Sequence, residues 1–325
     1  MGGLYSSAVT PTQRREALRA GLTSGTIQRL PGAFSPLCAR AIQEAGFEGV
    51  YVSGAVVAAD LALPDIGLTT LTEVAGRARQ IARVTDLPVL VDADTGFGEP
   101  MSAARTVSEL EDAGVAGCHL EDQRNPKRCG HLDGKEVVPV EVMLRRIGAA
   151  VGQRRDPAFV ISARTDAAGV EGIDSAIERA KAYADAGADL IFVEALHTPA
   201  DFERFRAAVP DIPLLANMTE FGKTELLSAQ TLQDLGYNAV IYPVTTLRVA
   251  MGQAEAALRD IAETGTQTGW IDRMQHRSRL YELLRYAEYN SFDQSVFTYS
   301  AENSTENSAD DSAHNEAPTP RRDHD

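Results

Sequence analysis

The chain has 325 residues, 44% of them hydrophobic, and a formal net charge of −15. That length and apolar content suffice for a full core, which excludes global disorder, and the acidic balance excludes a general nucleic-acid or anionic-membrane surface. An anionic ligand therefore needs a site where the sign is reversed locally.

The first residues, MGGLYSSAVTPTQRREALRAG, have no apolar core of signal-peptide length. MGGLYS fits the myristoylation pattern formally, but no polybasic patch accompanies it. No run approaches the roughly 18 apolar residues of a membrane span. The cysteines, Cys38, Cys118 and Cys129, are odd in number and widely spaced, so reduced cytosolic thiols are expected rather than a disulfide framework. These features predict a cytoplasmic protein that binds neither membrane nor nucleic acid.

Eight short apolar runs follow in regular order. RLPGAF (29–34), GVYVSG (49–54), PVLVDAD (88–94) and GCHLED (117–122) come first, then FVISARTD (159–166), LIFVEA, PLLANMT (213–219) and AVIYPV (239–244). Each is rich in Val, Ile, Leu or Phe, as a strand buried on both faces should be. Helical patterns separate them: in DSAIERAKAYADAG (174–187), Ile177, Ala180, Tyr183 and Ala184 share one face. The even-numbered runs are reached through a glycine, in AGFEGVYVSG, AGVAGCHLED, AGADLIFVEA and LGYNAVIYPV, where a helix C-cap is expected. The odd-numbered runs are reached through a proline, in RLPGAF, DLPVLVDAD, DPAFVISARTD and DIPLLANMT. Strands alternating with helices imply a parallel sheet, and this two-style alternation predicts an α/β (β/α)₈ barrel. Two further helical segments, 247–265 and 270–289, follow the last run. A single barrel domain is expected over 1–299, with a disordered polar tail over 300–325.

Barrel enzymes carry their chemistry at the C-terminal strand ends. Those ends are polar here: Ser53, Asp92 and Asp94, His119 and Glu121, Arg164 and Asp166, Glu194, Asn217 and Thr219. Residues two apart share a strand face, so the paired ones should point together. One such pair reads as a structural salt bridge or a strand-end cap. Four at equivalent ends point to a site. In VDADTGFG, Asp92 and Asp94 offer hard oxygen ligands suited to Mg²⁺ or Mn²⁺, the competing reading being a helix N-cap by Asp94. In NPKRCGHLDGKE (125–136), Cys129 follows Lys127 and Arg128 and precedes His131, so nearby positive charge should favour its thiolate. Cys38 and Cys118 read as structural.

EDQRNPKRCGHLDGKE closely resembles the signature loop of the isocitrate lyase/phosphoenolpyruvate mutase superfamily. YVSGAVVAADLALPDIG, VDADTGFG, HLEDQ, ARTDA, VEA, NMTEFG and GTQ match in order, over about residues 10 to 295. The resemblance implies a (β/α)₈ barrel whose last helix is exchanged between neighbouring subunits, in a homotetramer that depends on Mg²⁺. It makes Asp92 and Asp94 the metal ligands and Cys129 the catalytic thiol. It assigns a site acid to Asp65 and substrate contacts to Ser53, Gly54, Ala55, Gly130, Arg164, Glu194, Asn217, Thr219, Arg248 and Arg277; Lys127 and His131, beside the thiol, are further candidate substrate contacts. Where the family often has two or three successive glycines, this chain has Gly54, Ala55 and Val56.

The implied reaction is carbon–carbon cleavage of a tricarboxylate, 2-methylisocitrate, to pyruvate and succinate, as in the methylcitrate cycle of propionate catabolism. Isocitrate, 2,3-dimethylmalate and oxaloacetate are the alternatives within the superfamily. A phosphonate mutase would not need the thiol, and a non-catalytic barrel would not need the aspartate pair. For the base that takes the hydroxyl proton, Tyr51 is the first choice and Glu121 the second. Phe192 and Ile241 lie two residues before Glu194 and Pro243, and are assigned to a pocket for the substrate methyl.

Overall fold

The structure is a computed structural model that describes residue 4 and residues 7–128, 130 and 134–298. Cys129, His131 and the tail expected over 300–325 lie outside the described residues. The chain divides into two compact units, Met1–Arg273 and Met274–Asp325.

The first unit is a barrel. Its strands are β1 (Gln28–Pro31), β2 (Val50–Val52), β3 (Val89–Asp92), β4 (Gly117–Glu121), β5 (Val160–Thr165), β6 (Leu190–Val193), β7 (Leu214–Asn217) and β8 (Ala239–Tyr242). All pair in parallel, in the order β1-β8-β7-β6-β5-β4-β3-β2. The seam between β1 and β2 closes through a parallel bridge of Gly32 to Tyr51, and the Ala33 amide donates to the Tyr51 carbonyl at 2.9 Å. Gly32 permits this closure: a β-carbon there would lie 2.0 Å from the Pro243 carbonyl oxygen. All eight expected strands are present, each shorter than its apolar run.

The helices of this unit are α1 (Pro11–Leu22), α2 (Pro36–Glu44), α3 (Gly54–Asp60), α4 (Leu71–Ala82), α5 (Pro100–Asp112), α6 (Val140–Gln153), α7 (Ile173–Asp185), α8 (Pro199–Ala208), α9 (Ala229–Asp234) and α10 (Thr245–Thr264). The four glycines expected as C-caps are Gly46, Gly114, Gly187 and Gly236. Each takes a positive φ, 78°, 79°, 102° and 84°, just after α2, α5, α7 and α9. After the last three of these, the next residue donates back into the helix, Val115 to Leu110, Ala188 to Tyr183 and Tyr237 to Leu232. Only a residue free of the left-handed penalty permits this turn cheaply, and it delivers the chain straight into the following strand.

Apolar side chains pack in two layers. The barrel interior holds Leu30, Tyr51, Leu90, Phe192, Leu215 and Ile241, while a larger cluster fills the space between sheet and helices. Leu18 and Leu22 of α1 join the interior cluster and form the barrel floor. The apolar-run reading passes over α1, although Thr10 and Gln13 form a capping box at its start. Two buried arginines secure it. Arg14 donates to the Ala82, Thr85 and Gly114 carbonyls, and Arg15 to the Glu111 and Val115 carbonyls. These carbonyls lie at and just beyond the C-terminal ends of α4 and α5, where a guanidinium satisfies groups that have no helical partner.

The second unit contains α11 (Arg277–Leu283), capped by His276, and α12 (Tyr286–Phe297). Tyr281 stacks on Tyr286 with ring centroids 4.9 Å apart.

Candidate active site

The carboxylates come first along the chain. Asp92 ends β3, where its two oxygens accept from the Gly54 amide at 3.1 Å and the Asp94 amide at 3.0 Å. Asp94 does not share a strand face with Asp92, as the period-2 reading expects. It has a φ of 47°, so the chain has already turned out of the strand. The two carboxylates still converge, because a β-carbon on Gly54 would lie 3.0 Å from Asp92 Oδ2 and 3.3 Å from Asp94 Oδ1. Asp94 caps no helix, since the N-cap of α5 is Glu99.

Lys127 reaches into this acidic corner. Its Nζ lies 2.5 Å from Asp65 Oδ1 and 2.6 Å from Asp94 Oδ1, with the side chain 4% exposed. Burial works against its charge, but Asp94, Asp92, Glu121 and Asp65 together hold the ammonium firmly protonated. Burial, and then Asp92, push the Asp94 carboxyl up to about 6 against the pull of Lys127.

Arg164, on β5, organises the opposite side. It donates to Asp166 from Nε at 2.9 Å and Nη2 at 3.2 Å, a bidentate pair. Its guanidinium lies 3.4 Å from both Glu121 Oε2 and Glu194 Oε2, and covers the Phe192 ring at 4.9 Å. Burial alone would raise the Asp166 carboxyl, but Arg164 and Lys135 hold it down at about 2. Glu121 behaves oppositely: burial pushes its carboxyl well above the usual carboxylate range despite Arg164, and its buried Oε1 has no hydrogen-bond partner.

Tyr51 and His119 form the third group, with Oη 2.7 Å from Nε2. Burial raises the phenol well above its usual range and lowers the imidazole to about 4, so both are neutral near pH 7. His119 Nδ1 has no partner, and Asp92 Oδ1 lies 3.6 Å from Nε2. We assign the imidazole proton to Nε2, which then donates to Tyr51 Oη and leaves Nδ1 a bare lone pair rather than an unpaired N–H.

One cavity at the barrel mouth is lined by Tyr51, Ser53, Ala55, Asp65, Asp92, Glu121, Lys127, Gly130, Arg164, Glu194, Asn217 and Thr219. Asn217 donates to Glu194 Oε2 at 3.2 Å. Gly54 and Asp94 stand behind this lining, joined to it through Asp92 and Lys127. Phe192 and Ile241 also line the cavity, with Arg128, Pro243 and Val244. Arg248 does not: Glu220 holds it at 2.7 Å, and it reaches only Thr219 Oγ1 at 3.4 Å. Arg277 belongs to the second unit. The side chain missed by sequence reasoning is Lys135, whose Nζ donates to both the Gly130 carbonyl and Asp166. Its only sequence signal is a basic residue directly after Gly134.

Among the described residues, no group of three carboxylates, imidazoles or thiolates converges as a metal cage. The residues nevertheless fit a divalent cation of the Mg²⁺ type, which is usually bound through one or two carboxylates with water and substrate completing its shell. Asp92 and Asp94 supply such oxygens, and the unpartnered Glu121 Oε1 offers an acceptor to a bound water. The cavity lining also carries four carboxylates, Asp65, Asp92, Glu121 and Glu194, against three cations, Lys127, Arg128 and Arg164.

This closed parallel barrel, with buried acids and an arginine clamp at its C-terminal mouth, has the makings of an enzyme for small carboxylic acids. The phosphoenolpyruvate phosphomutase family model matches residues 18–262. A Corynebacterium glutamicum protein named probable 2-methylisocitrate lyase 2 is 83% identical over 302 residues, covering 93% of this chain and 98% of that one. Among solved structures, an oxaloacetate acetylhydrolase bound to 3,3-difluorooxalacetate superposes with a TM-score of 0.84 at 33% identity, over 90% of this chain and 99% of that one. A 2,3-dimethylmalate lyase gives 0.82 at 32% identity, over 89% and 96%. The chain belongs to the isocitrate lyase/phosphoenolpyruvate mutase superfamily and, within it, to the enzymes of the 2-methylisocitrate lyase family. No described helix is long and apolar enough to cross a membrane.

Proposed function

We propose that the chain is a Mg²⁺-dependent lyase, cytoplasmic and acting in the methylcitrate cycle of propionate catabolism, that cleaves 2-methylisocitrate to pyruvate and succinate. The observation that carries this reading is the make-up of the cavity: an apolar wall of Phe192, Ile241, Pro243 and Val244 in a mouth that also carries charged and polar groups. The 83% identical relative supports the same substrate.

Asp92 and Asp94 would hold the Mg²⁺, directly or through water, and Mn²⁺ could replace it. When bound, the ion supplies positive charge beside the substrate hydroxyl and its neighbouring carboxylate, which favours the alkoxide. A tricarboxylate needs that charge, since Asp65, Asp92 and Glu194 offset the three cations of the lining.

Tyr51 would take the hydroxyl proton as a phenolate, having first lost its own proton to solvent. Donation from His119 Nε2–H to Oη and the charge of a bound cation would favour that phenolate, which ends as the neutral phenol when it accepts the substrate proton. Glu121 is the second choice. The carbon–carbon bond then breaks. Its oxygen-side fragment becomes the keto group of pyruvate, and the electron pair stays on the succinyl carbon. Arg164 offers a bidentate partner for carboxylates near that carbon, with Asn217 and Thr219 as neutral donors beside it. Cys129 returns a proton to the carbanion, which completes succinate.

A lactate-dehydrogenase-coupled assay over 2-methylisocitrate, isocitrate, 2,3-dimethylmalate and oxaloacetate, with and without EDTA, tests this function. Pyruvate release from 2-methylisocitrate that stops with EDTA and returns with Mg²⁺ is expected. One methyl in an apolar pocket is worth ~1–3 kcal/mol, roughly 10- to 200-fold. Isocitrate should thus be a poor substrate, and Ile241→Ala should narrow the gap. Equal kcat/KM for the two acids would remove the methyl pocket and with it this choice of substrate.

The expected homotetramer with an exchanged last helix belongs to the same proposal. Its support is α10, which has no buried residue and exposes Val249, Met251 and Leu258. Sedimentation equilibrium should give four times the chain mass of 34.9 kDa; a monomer at micromolar concentration would reject it.

A further inference from the structure

Lys135 is a charged side chain of the site region that the proposed chemistry leaves unused. It follows Gly134, whose φ of 81° turns the chain back toward the barrel. Its side chain is only 5% exposed, and Nζ has two acceptors, the Gly130 carbonyl at 2.5 Å and Asp166 Oδ1 at 2.7 Å. Each acceptor leads to the mouth by a separate path. Asp166 holds the Arg164 guanidinium by two hydrogen bonds. Gly130 rests against the same guanidinium, since a β-carbon there would lie 2.3 Å from Arg164 Nη2 and 2.6 Å from Glu194 Cγ. One ammonium therefore fixes both the backbone that covers the clamp and the carboxylate that orients it.

We propose that Lys135 is a positioning residue, whose ammonium ties the Gly130 carbonyl to the Asp166–Arg164 pair and so sets where the arginine meets substrate. It touches no reacting atom. A hydrocarbon at this position leaves the Gly130 carbonyl and one Asp166 oxygen without a donor, and lets the guanidinium and the backbone over it drift separately. Misplacement of a clamp by about 1 Å costs on the order of 10²-fold in rate.

The inference rests on the lyase reading for its kinetic arm only. In Lys135→Met, kcat should fall ~10- to 100-fold on whichever acid of the panel the parent cleaves, with KM changed less than about threefold, while Lys135→Arg should recover most of the loss. The second arm needs no turnover: at a temperature well below the melting point of every variant, trypsin should cut after Lys127 or Arg128 about tenfold faster in Lys135→Met than in the parent, with Lys135→Arg close to the parent. A parent that cleaves none of the panel refutes the function but leaves this arm to decide the tie. Parent-like kcat and proteolysis in Lys135→Met would overturn the proposal. So would a loss of kcat that only follows a lowered melting temperature and is not recovered by arginine.

Discussion

Arg164→Gln should lower kcat/KM by about 10²- to 10³-fold and destabilise the fold by ~3–5 kcal/mol, the usual cost of removing one partner from a buried ion pair. The side chain is 8% exposed and faces Asp166, Glu121 and Glu194 at once. Glutamine keeps a planar polar end but removes the charge, so three buried carboxyls lose their shared counter-ion. The effect also has a pH signature. In the parent, Asp166 is held near 2, below the value of about 3.9 that it has in an unfolded chain. A depressed carboxyl adds stability that is complete above the unfolded value and is lost as pH falls through the folded one. Without Arg164 the depression shrinks, so the variant has less of this acid-labile stability to lose. Thermal melts between pH 3 and 7 would show this as a lower melting temperature at neutral pH with a shallower acid-side decline. A variant with parent-like activity and the same acid profile would show that Arg164 is neither clamp nor counter-ion.

Cys129→Ser is expected to reduce kcat by ~10²- to 10⁴-fold with no change in melting temperature, the range a positioned general acid contributes. Serine is close in size, but its hydroxyl is a far weaker acid than a thiol, so it cannot return a proton to carbon at a useful rate. Succinate binding, measured by calorimetry in the presence of Mg²⁺, should be retained, because the thiol acts on the carbanion and not on the carboxylates. Turnover within a few fold of the parent would remove Cys129 from the mechanism and leave the proton to another group.

The barrel was legible because its signals are local and repeated. Gly46, Gly114, Gly187 and Gly236 mark helix ends by a backbone requirement that no other residue meets cheaply, and each falls directly before an apolar run. The strand-end polar residues were legible for a related reason: a charge at the end of a doubly buried strand has no place in the core. What escaped was pairing across long sequence distances. The period-2 rule placed Asp92 and Asp94 on one face, but Asp94 lies past the strand, and its partner Lys127 is 33 positions further along. Arg248 was read as a site cation, but Glu220 occupies it. Lys135 was invisible because its role depends on Gly130 and Asp166, which nothing in local composition links to it. The floor helix was overlooked because its arginines, Arg14 and Arg15, look like solvent-facing charges until the carbonyls they meet are known.

Those floor arginines engage main-chain carbonyls, of Ala82, Thr85, Glu111, Gly114 and Val115, and only Arg15 adds a side-chain partner, Asp156. A carbonyl is the same whatever residue carries it. Side chains along α4 and α5 can therefore drift without loosening the base of the barrel. At the mouth, by contrast, most contacts depend on a particular carboxylate, guanidinium, ammonium or ring. Selection for a new acid can rework one end of the molecule while the other, blind to side-chain identity, keeps the scaffold shut.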